Sequence, residues 1–166
     1  LWPNCKLVYE IVTQDLPISN PCYNRRTSPC NADLGDKNCE DVVGFLTRYY
    51  TNDLYNAVKT NIELAGERIS EKAPSCGVEK YDSHIHSTTS PICVVYYEHA
   101  CFVEYVGYRE NSYLMGLGWC YNDVSSIIHE ILHAFGLLHE HQSRIADEYL
   151  STCQDDDAIY CTPNNY

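Results

Sequence analysis

Residues 129–139 read HEILHAFGLLH and carry three histidines at a fixed spacing. On an α-helix of about 3.6 residues per turn, His129 and His133 lie one turn apart on one face, so both imidazoles can reach one metal ion. Zinc suits them because it accepts nitrogen ligands in tetrahedral geometry. Gly136 enters left-handed conformations freely, so it can end the helix and return His139 as a third ligand. We therefore predict one zinc ion held by His129, His133 and His139.

Glu130 follows the first histidine and lies roughly 100° further round the helix, where its carboxylate can meet a water on the metal without binding the metal itself. Three protein ligands leave a fourth position for water, which distinguishes a hydrolytic zinc site from a closed structural one. The spacing therefore predicts Glu130 as a general base. A buried amphipathic helix that happens to carry histidines is the weaker interpretation, because Gly136 and His139 also stand at the expected offsets.

The motif and its surroundings resemble the astacins, a branch of the metzincin zinc peptidases. Residues 140–144 (EHQSR) and 147–149 (DEY) are similar to the run HEH/Q-x-R-x-D-R-D-x-Y that follows the zinc motif in astacins. Residues 1–4 (LWPN) resemble the start of the mature astacin domain. Residues 106–107 and 114–118 resemble the segment that leads to the zinc helix. The likeness covers residues 1–15 and about 92–150.

The resemblance implies an α+β fold with a metzincin-like upper subdomain, a twisted, mainly parallel or mixed sheet, two long helices and many disulfides. It implies a single domain over residues 1–166 that acts as a secreted zinc metalloendopeptidase, hydrolysing peptide bonds in proteins through a zinc-activated water with Glu130 as general base. It pairs Cys101 with Cys120. It also implies an edge strand above the cleft, which can hold an extended polypeptide substrate through backbone hydrogen bonds.

The C-terminal part departs from the astacin pattern. Astacins continue past the third histidine into a lower subdomain with a Met-turn and a tyrosine that can ligate zinc. Here 27 residues follow His139, and the single methionine, Met115, lies upstream. We therefore expect no Met-turn and a short or truncated C-terminal subdomain. This keeps open an alternative function, a zinc-binding but catalytically weak or inactive binding protein, although Glu130 favours the peptidase because a binding module has no use for that carboxylate.

Composition limits the other classes of function. Ten cysteines, an even number without a C-x-x-C pair, predict disulfides in an oxidising compartment and hence a secreted protein. A formal net charge of −12 argues against binding to nucleic acid or to anionic membranes, which depends on Lys and Arg. The sequence predicts neither a signal peptide nor a membrane span, because it has no basic start and no run of roughly 20 apolar residues.

The remaining segments predict the scaffold. Residues 2–12 alternate as a strand with one buried face, and residues 17–39 are typical of a loop stapled by cysteines. The pattern of residues 40–66 is helical, with capping candidates at 51–53 and with Gly66 as the predicted end of the helix. Residues 73–91 are expected to be a loop. Residues 91–97 and 102–108 predict two adjacent strands, the second being the sheet edge by resemblance.

Two local expectations concern histidines and caps. Asn122 and Asp123 are expected to cap the helix that carries the zinc motif, whose apolar flank is wide enough to be buried. His84 and His86 alternate within the 73–91 loop and suggest a second metal site, but no third ligand is evident. Because metal ligands usually come in threes or fours, we expect these two to be exposed loop histidines.

Overall fold

The computed structural model describes residues 2–25, 27–28, 46–47, 49–98 and 100–139. The chain divides into two compact units, Leu1–Gly136 and Leu137–Tyr166. Within the second unit, residues 137–139 are described. No helix in the described part of the chain is both long and apolar enough to span a membrane.

Two helices and seven strands make up the described secondary structure. The helices are α1 (Asn52–Lys72) and α2 (Val124–Phe135). The strands are β1 (Lys6–Ile11), β2 (Thr27–Ser28), β3 (Leu46–Thr47), β4 (Gly77–Lys80), β5 (Ile92–Val95), β6 (Cys101–Val103) and β7 (Leu114–Leu117). Short 3-10 turns occur at Pro3–Cys5 and Tyr23–Arg25.

A five-stranded mixed sheet organises the first unit. Its strand order is β4-β1-β5-β7-β6, and a separate small sheet pairs β2 with β3. Strands β4, β1, β5 and β7 run parallel, whereas β6 runs antiparallel to β7 and forms one edge. The predicted α+β fold with a mixed sheet, two helices and disulfides is confirmed.

Strand β1 lies in the interior of the sheet and is buried on both faces. Leu7 and Ile11 are buried on one side, and Val8 and Glu10 on the other. The expectation of a strand at this position is confirmed, but the expectation of a single buried face is wrong. Parallel strands in the interior of a sheet are covered on both sides, so even a carboxylate such as Glu10 becomes buried there.

Helix α1 begins at the predicted cap and extends further than predicted. Gly66 does not end it, because the helix continues to Lys72 and buries Ile69. A Cβ atom at Gly66 would lie 2.9 Å from Cβ of Val78 in β4. This glycine therefore serves close packing of the helix on the sheet and not helix termination.

Two expectations about strands were wrong. Residues 73–91 are not loop throughout, because β4 pairs in parallel with β1, with Lys6 opposite Gly77 and Tyr9 opposite Lys80. The strands β5 and β6 are not neighbours either, since β7 lies between them. The short connection suggested adjacent strands, but the chain passes over the position of β7 and leaves β6 at the edge, as the resemblance implied.

Three disulfides staple the described part of the chain. Cys101 pairs with Cys120, which confirms the pairing implied by the resemblance. The other two bridges, whose partners the sequence left open, are Cys5–Cys76 and Cys22–Cys93. The first ties the start of β1 to the start of β4, and the second ties the loop after β1 to β5. Cys30, Cys39, Cys153 and Cys161 lie outside the described residues.

Candidate active site

Helix α2 carries the first two histidines of the motif, and it begins and ends where the sequence predicts. Its N-cap is Asp123, whose Oδ1 accepts a hydrogen bond from the Ser125 N–H at 3.0 Å. Its apolar side is anchored in the core by Ile127, Ile131 and Ala134, each at most 1% exposed. Burial on that side presents the opposite face, with the histidines, to the outside.

His129 and His133 meet on the outer face of α2. Their Nε2 atoms are 3.0 Å apart, and the rings pack edge to face with centroids 4.5 Å apart. Two nitrogens at about 2.0–2.1 Å from one tetrahedral zinc ion would be about 3.3 Å apart. The pair therefore has a spacing that suits shared ligation of one ion.

Glu130 lies beside the histidines, and its side chain is turned toward the sheet. It is 7% exposed, and its carboxylate accepts a hydrogen bond from the backbone N–H of Val103 in β6. Burial raises the pKa of Glu130, while His129, His133 and the Val103 N–H oppose that rise. The result is a carboxylate that is held in position and is more ready to take up a proton than an exposed one.

The carbonyl groups at the C-terminal end of α2 accept hydrogen bonds from one local donor and from two donors in distant parts of the chain. Gly136 adopts the left-handed conformation (φ 106°), and its N–H bonds to the carbonyl oxygen of His133 at 2.8 Å. The Gly107 N–H also donates to the His133 oxygen, at 3.0 Å. The Trp2 Nε1–H donates to the carbonyl oxygen of Ala134 at 2.8 Å. These bonds satisfy carbonyls that a helix end otherwise leaves without partners.

A cavity of about 370 Å³ opens next to these groups. The residues that line it are Cys101, Trp119, Ser125, Ser126, His129 and Glu130. It extends from the motif toward the first turn of α2 and is bounded by the disulfide between Cys101 and Cys120. The cavity brings the buried carboxylate and one of the histidines to the same surface.

A family model matches the chain at this point. The model of the astacin peptidase family matches residues 47–158, which include the whole of the motif. The chain belongs to the astacin family. Neither the curated proteins nor the solved structures contain a match to it.

Astacins are zinc metallopeptidases, and the sequence of this astacin domain has histidines at the three positions of the motif. His129 and His133 belong to the first compact unit, and His139 belongs to the second. His139 follows Gly136 by three residues and is half-buried. Residues 140–149, which resemble the astacin run after the third histidine, lie outside the described residues. The rest of the C-terminal segment, in which we expect no Met-turn, lies outside them as well.

The loop histidines have other interactions. The Nδ1 atom of His86 accepts the Asp82 N–H at 3.0 Å, and its Nε2 lies 3.5 Å from a Glu79 carboxylate oxygen. His84 is exposed, and its backbone N–H donates to the Asp82 carboxylate. Within the described part of this astacin domain, neither belongs to a group of three metal-binding side chains.

The sequence did not point to several residues that shape the site. Trp119, Ser125 and Ser126 line the cavity, and Trp2 and Gly107 bind the end of α2. Ser125 and Ser126 precede His129 by about one turn, so their closeness could have been inferred from helical periodicity. The other three reach the site through tertiary contacts, for which the sequence carries no local signal.

Proposed function

We propose that this chain is a secreted zinc metalloendopeptidase that cleaves peptide bonds in proteins, with His129, His133 and His139 as zinc ligands and Glu130 as general base. The observation that carries the proposal is the buried Glu130 carboxylate next to two imidazole nitrogens 3.0 Å apart, in a domain of the astacin family. Zinc fits this donor set because its preferred ligands are neutral imidazole nitrogens in tetrahedral geometry.

The chemistry divides between the ion and the chain. When bound, zinc lowers the pKa of a ligated water toward neutrality and polarises the carbonyl of the scissile bond. Glu130 accepts the proton of the attacking water and delivers it to the leaving nitrogen. Its burial supports both steps, because a raised pKa brings the carboxyl closer to the working pH. The Val103 N–H keeps the carboxylate oriented during the transfer.

The neighbouring edge strand supports a polypeptide as the substrate. One side of β6 pairs with β7, and among the described residues no strand pairs with the other side. An extended peptide can add to such an edge through its backbone, largely independently of its side chains. The Val103 N–H on this side donates to Glu130, so a peptide along this edge would pair with the remaining backbone groups and would pass close to the proposed base.

Secretion is supported by the cysteines. Three disulfides lie in the described residues, and bridges of this density form and persist in oxidising compartments.

The test uses the full chain loaded with zinc and denatured casein or gelatin as substrate. We expect cleavage that stops on addition of phenanthroline and returns with zinc. Glu130→Gln should bind zinc by metal analysis and lose at least about 10²-fold in rate, as for removal of a general base. Glu71→Gln, which removes an exposed charge from α1, is the matched control and should cleave normally. Zinc binding without cleavage by the unmodified chain would favour the catalytically inactive binding protein.

A further inference from the structure

The backbone of Gly107, in the loop between β6 and β7, supports the last turn of α2. Its N–H donates to the carbonyl oxygen of His133 at 3.0 Å. Its φ of 85° lies in the left-handed region, and a Cβ atom built on it would lie 3.8 Å from the Gly136 Cα. The loop and the end of the helix therefore meet backbone to backbone, at the residue that carries a proposed zinc ligand.

A glycine gives firm support only when its own backbone is fixed, because no other residue has such a wide choice of conformations. The hydroxyl of Tyr113 provides the second bond that Gly107 needs. It donates to the Gly107 carbonyl oxygen at 2.8 Å. Both polar groups of this glycine are then bonded, the oxygen by Tyr113 and the N–H to His133, so rotation on either side of its Cα is restricted.

Tyr113 is itself held in place. It is 2% exposed, and its ring packs edge to face against Tyr105 with centroids 5.8 Å apart. Burial raises the pKa of Tyr113, although Arg109 and the indole N–H of Trp2 act against that rise. The phenol therefore keeps its proton at neutral pH and remains a donor to the Gly107 oxygen.

Trp2 reaches the same hydroxyl from another part of the chain. Its indole N–H donates to the carbonyl oxygen of Ala134 at 2.8 Å and also lies close to the Tyr113 oxygen. His133 and Ala134 are consecutive residues, and each accepts a bond from outside the helix, one from Gly107 and the other from Trp2. One phenol hydroxyl thus links the two donors that hold this turn.

We propose that Tyr113 is a positioning residue for the metal site: through Gly107 its hydroxyl fixes the backbone of His133 and with it the direction from which this imidazole approaches the ion. The inference rests on the function proposed above, in which His133 is a zinc ligand. Groups that orient a ligand from outside the coordination shell commonly change metal affinity by about 10- to 100-fold. Tyr113 acts on the backbone and not on the ring, so its effect belongs at the lower end of that range.

The experiment compares Tyr113→Phe with the unmodified full chain. Phenylalanine keeps the ring against Tyr105 and removes only the hydroxyl, so the variant should fold. Competition with a chromophoric chelator measures the dissociation constant of zinc, and cobalt(II) in place of zinc reports the ligand geometry through its visible spectrum. We expect the dissociation constant to rise about tenfold, and the cobalt bands to shift.

Tyr50→Phe is the matched control. Tyr50 is 1% exposed, and its hydroxyl donates to the carbonyl oxygens of Leu117 at 3.0 Å and Val95 at 3.4 Å, which end β7 and β5. Its loss removes a buried tyrosine hydroxyl of the same kind from another part of the core. The urea midpoint of the metal-free protein should therefore fall in both variants, whereas zinc affinity and the cobalt spectrum should change only in Tyr113→Phe.

Trp2→Phe gives a second, independent variant. It should also weaken zinc binding, and combined with Tyr113→Phe it should weaken binding by less than the product of the two single effects, because both side chains hold one turn. Unchanged zinc affinity in Tyr113→Phe, or an equal loss in Tyr50→Phe, would overturn the positioning role and leave the peptidase standing. The expected affinity changes without any cleavage would support the positioning role and contradict the peptidase. An unmodified chain that bound no zinc would overturn both.

Discussion

The indole N–H of Trp2 donates a hydrogen bond to the carbonyl oxygen of Ala134 at 2.8 Å, across 132 residues of chain. Both residues are buried, and the Trp2 ring packs edge to face on Tyr108 with centroids 5.0 Å apart. Ala134 directly follows His133 in the last turn of α2. The beginning of the chain therefore fixes the turn from which a proposed zinc ligand projects.

Trp2→Phe should destabilise the protein through the loss of this hydrogen bond and of some buried ring volume. Phenylalanine keeps a ring against Tyr108 but leaves the buried Ala134 carbonyl without its donor, which costs about 1–3 kcal/mol. Urea unfolding of the two proteins measures the difference. Trp119→Phe is the matched control, because that tryptophan is exposed and should change the free energy of unfolding by less than about 0.5 kcal/mol. Equal effects of the two substitutions would contradict the role of this bond.

Gly136 should tolerate asparagine better than alanine. Its φ of 106° lies in the region that side chains with a Cβ disfavour, and asparagine enters that region more readily than alanine. A Cβ atom would lie 3.9 Å from the Gly107 Cα, which is ordinary contact, so the cost is conformational and not steric. We expect Gly136→Ala to cost about 1–2 kcal/mol and Gly136→Asn less. Thermal unfolding would contradict this if the order were reversed.

Helix α2 could be predicted from the sequence because its determinants are local. Periodic apolar residues define its buried flank, and its two ends are decided by Asp123 and Gly136, which cap it directly. The spacing of His129 and His133 then follows from helical geometry. The pairing of Cys101 with Cys120 was accessible only through the family resemblance.

The rest depends on contacts between distant segments. Strand β4 forms because Gly77–Lys80 pairs with the edge of β1, which lies about 70 residues earlier in the sequence. A glycine occupies position 66 within α1 because Val78 lies too close to leave room for a side chain. Trp119 becomes part of a cavity through the path of the chain after β7. A local pattern carries no information about any of these neighbours.

Glu10 should make stability depend on pH. Burial raises its pKa, although Lys80, Asn20 and the Ile11 N–H act in the opposite direction. A carboxyl whose pKa is higher in the folded than in the unfolded state stabilises the fold in its protonated form. That contribution is fully present below the ordinary pKa of the carboxyl in the unfolded chain and is lost as the pH rises through the raised pKa of the folded state.

Glu10→Gln removes this titration. We therefore expect the free energy of unfolding of the unmodified protein, minus that of the variant, to be larger near pH 4 than near pH 7. Urea titrations at a series of pH values measure it, with the exposed Glu67→Gln as the charge control. A difference that grew with pH would contradict the assignment, since it would mean that the ionised form is favoured by folding.

Removing the Cys5–Cys76 bridge should cost more stability, whereas removing the Cys101–Cys120 bridge should cost more activity. The bridge Cys5–Cys76 closes a loop of 71 residues and Cys101–Cys120 one of 19. Chain entropy predicts losses of about 4 and about 3 kcal/mol for the two double-alanine variants. Peptide cleavage below the unfolding transition should instead suffer more in the second variant, because Cys101 lines the cavity. An activity loss that simply followed the stability loss would show that this wall has no role in the site.

Zinc should stabilise the folded protein through the motif histidines and not through the loop histidines. A ligand at 100 times its dissociation constant adds about 2.7 kcal/mol to the free energy of unfolding. His133→Ala removes one of the two nitrogens that lie 3.0 Å apart and should abolish most of that gain. His84→Ala removes an exposed loop histidine and should retain the gain in full, which makes it the matched control. Urea unfolding of each variant with zinc and with a chelator measures the effect. If zinc stabilised both variants equally, the ion would be bound elsewhere, and the proposed role of Glu130 would lose its basis.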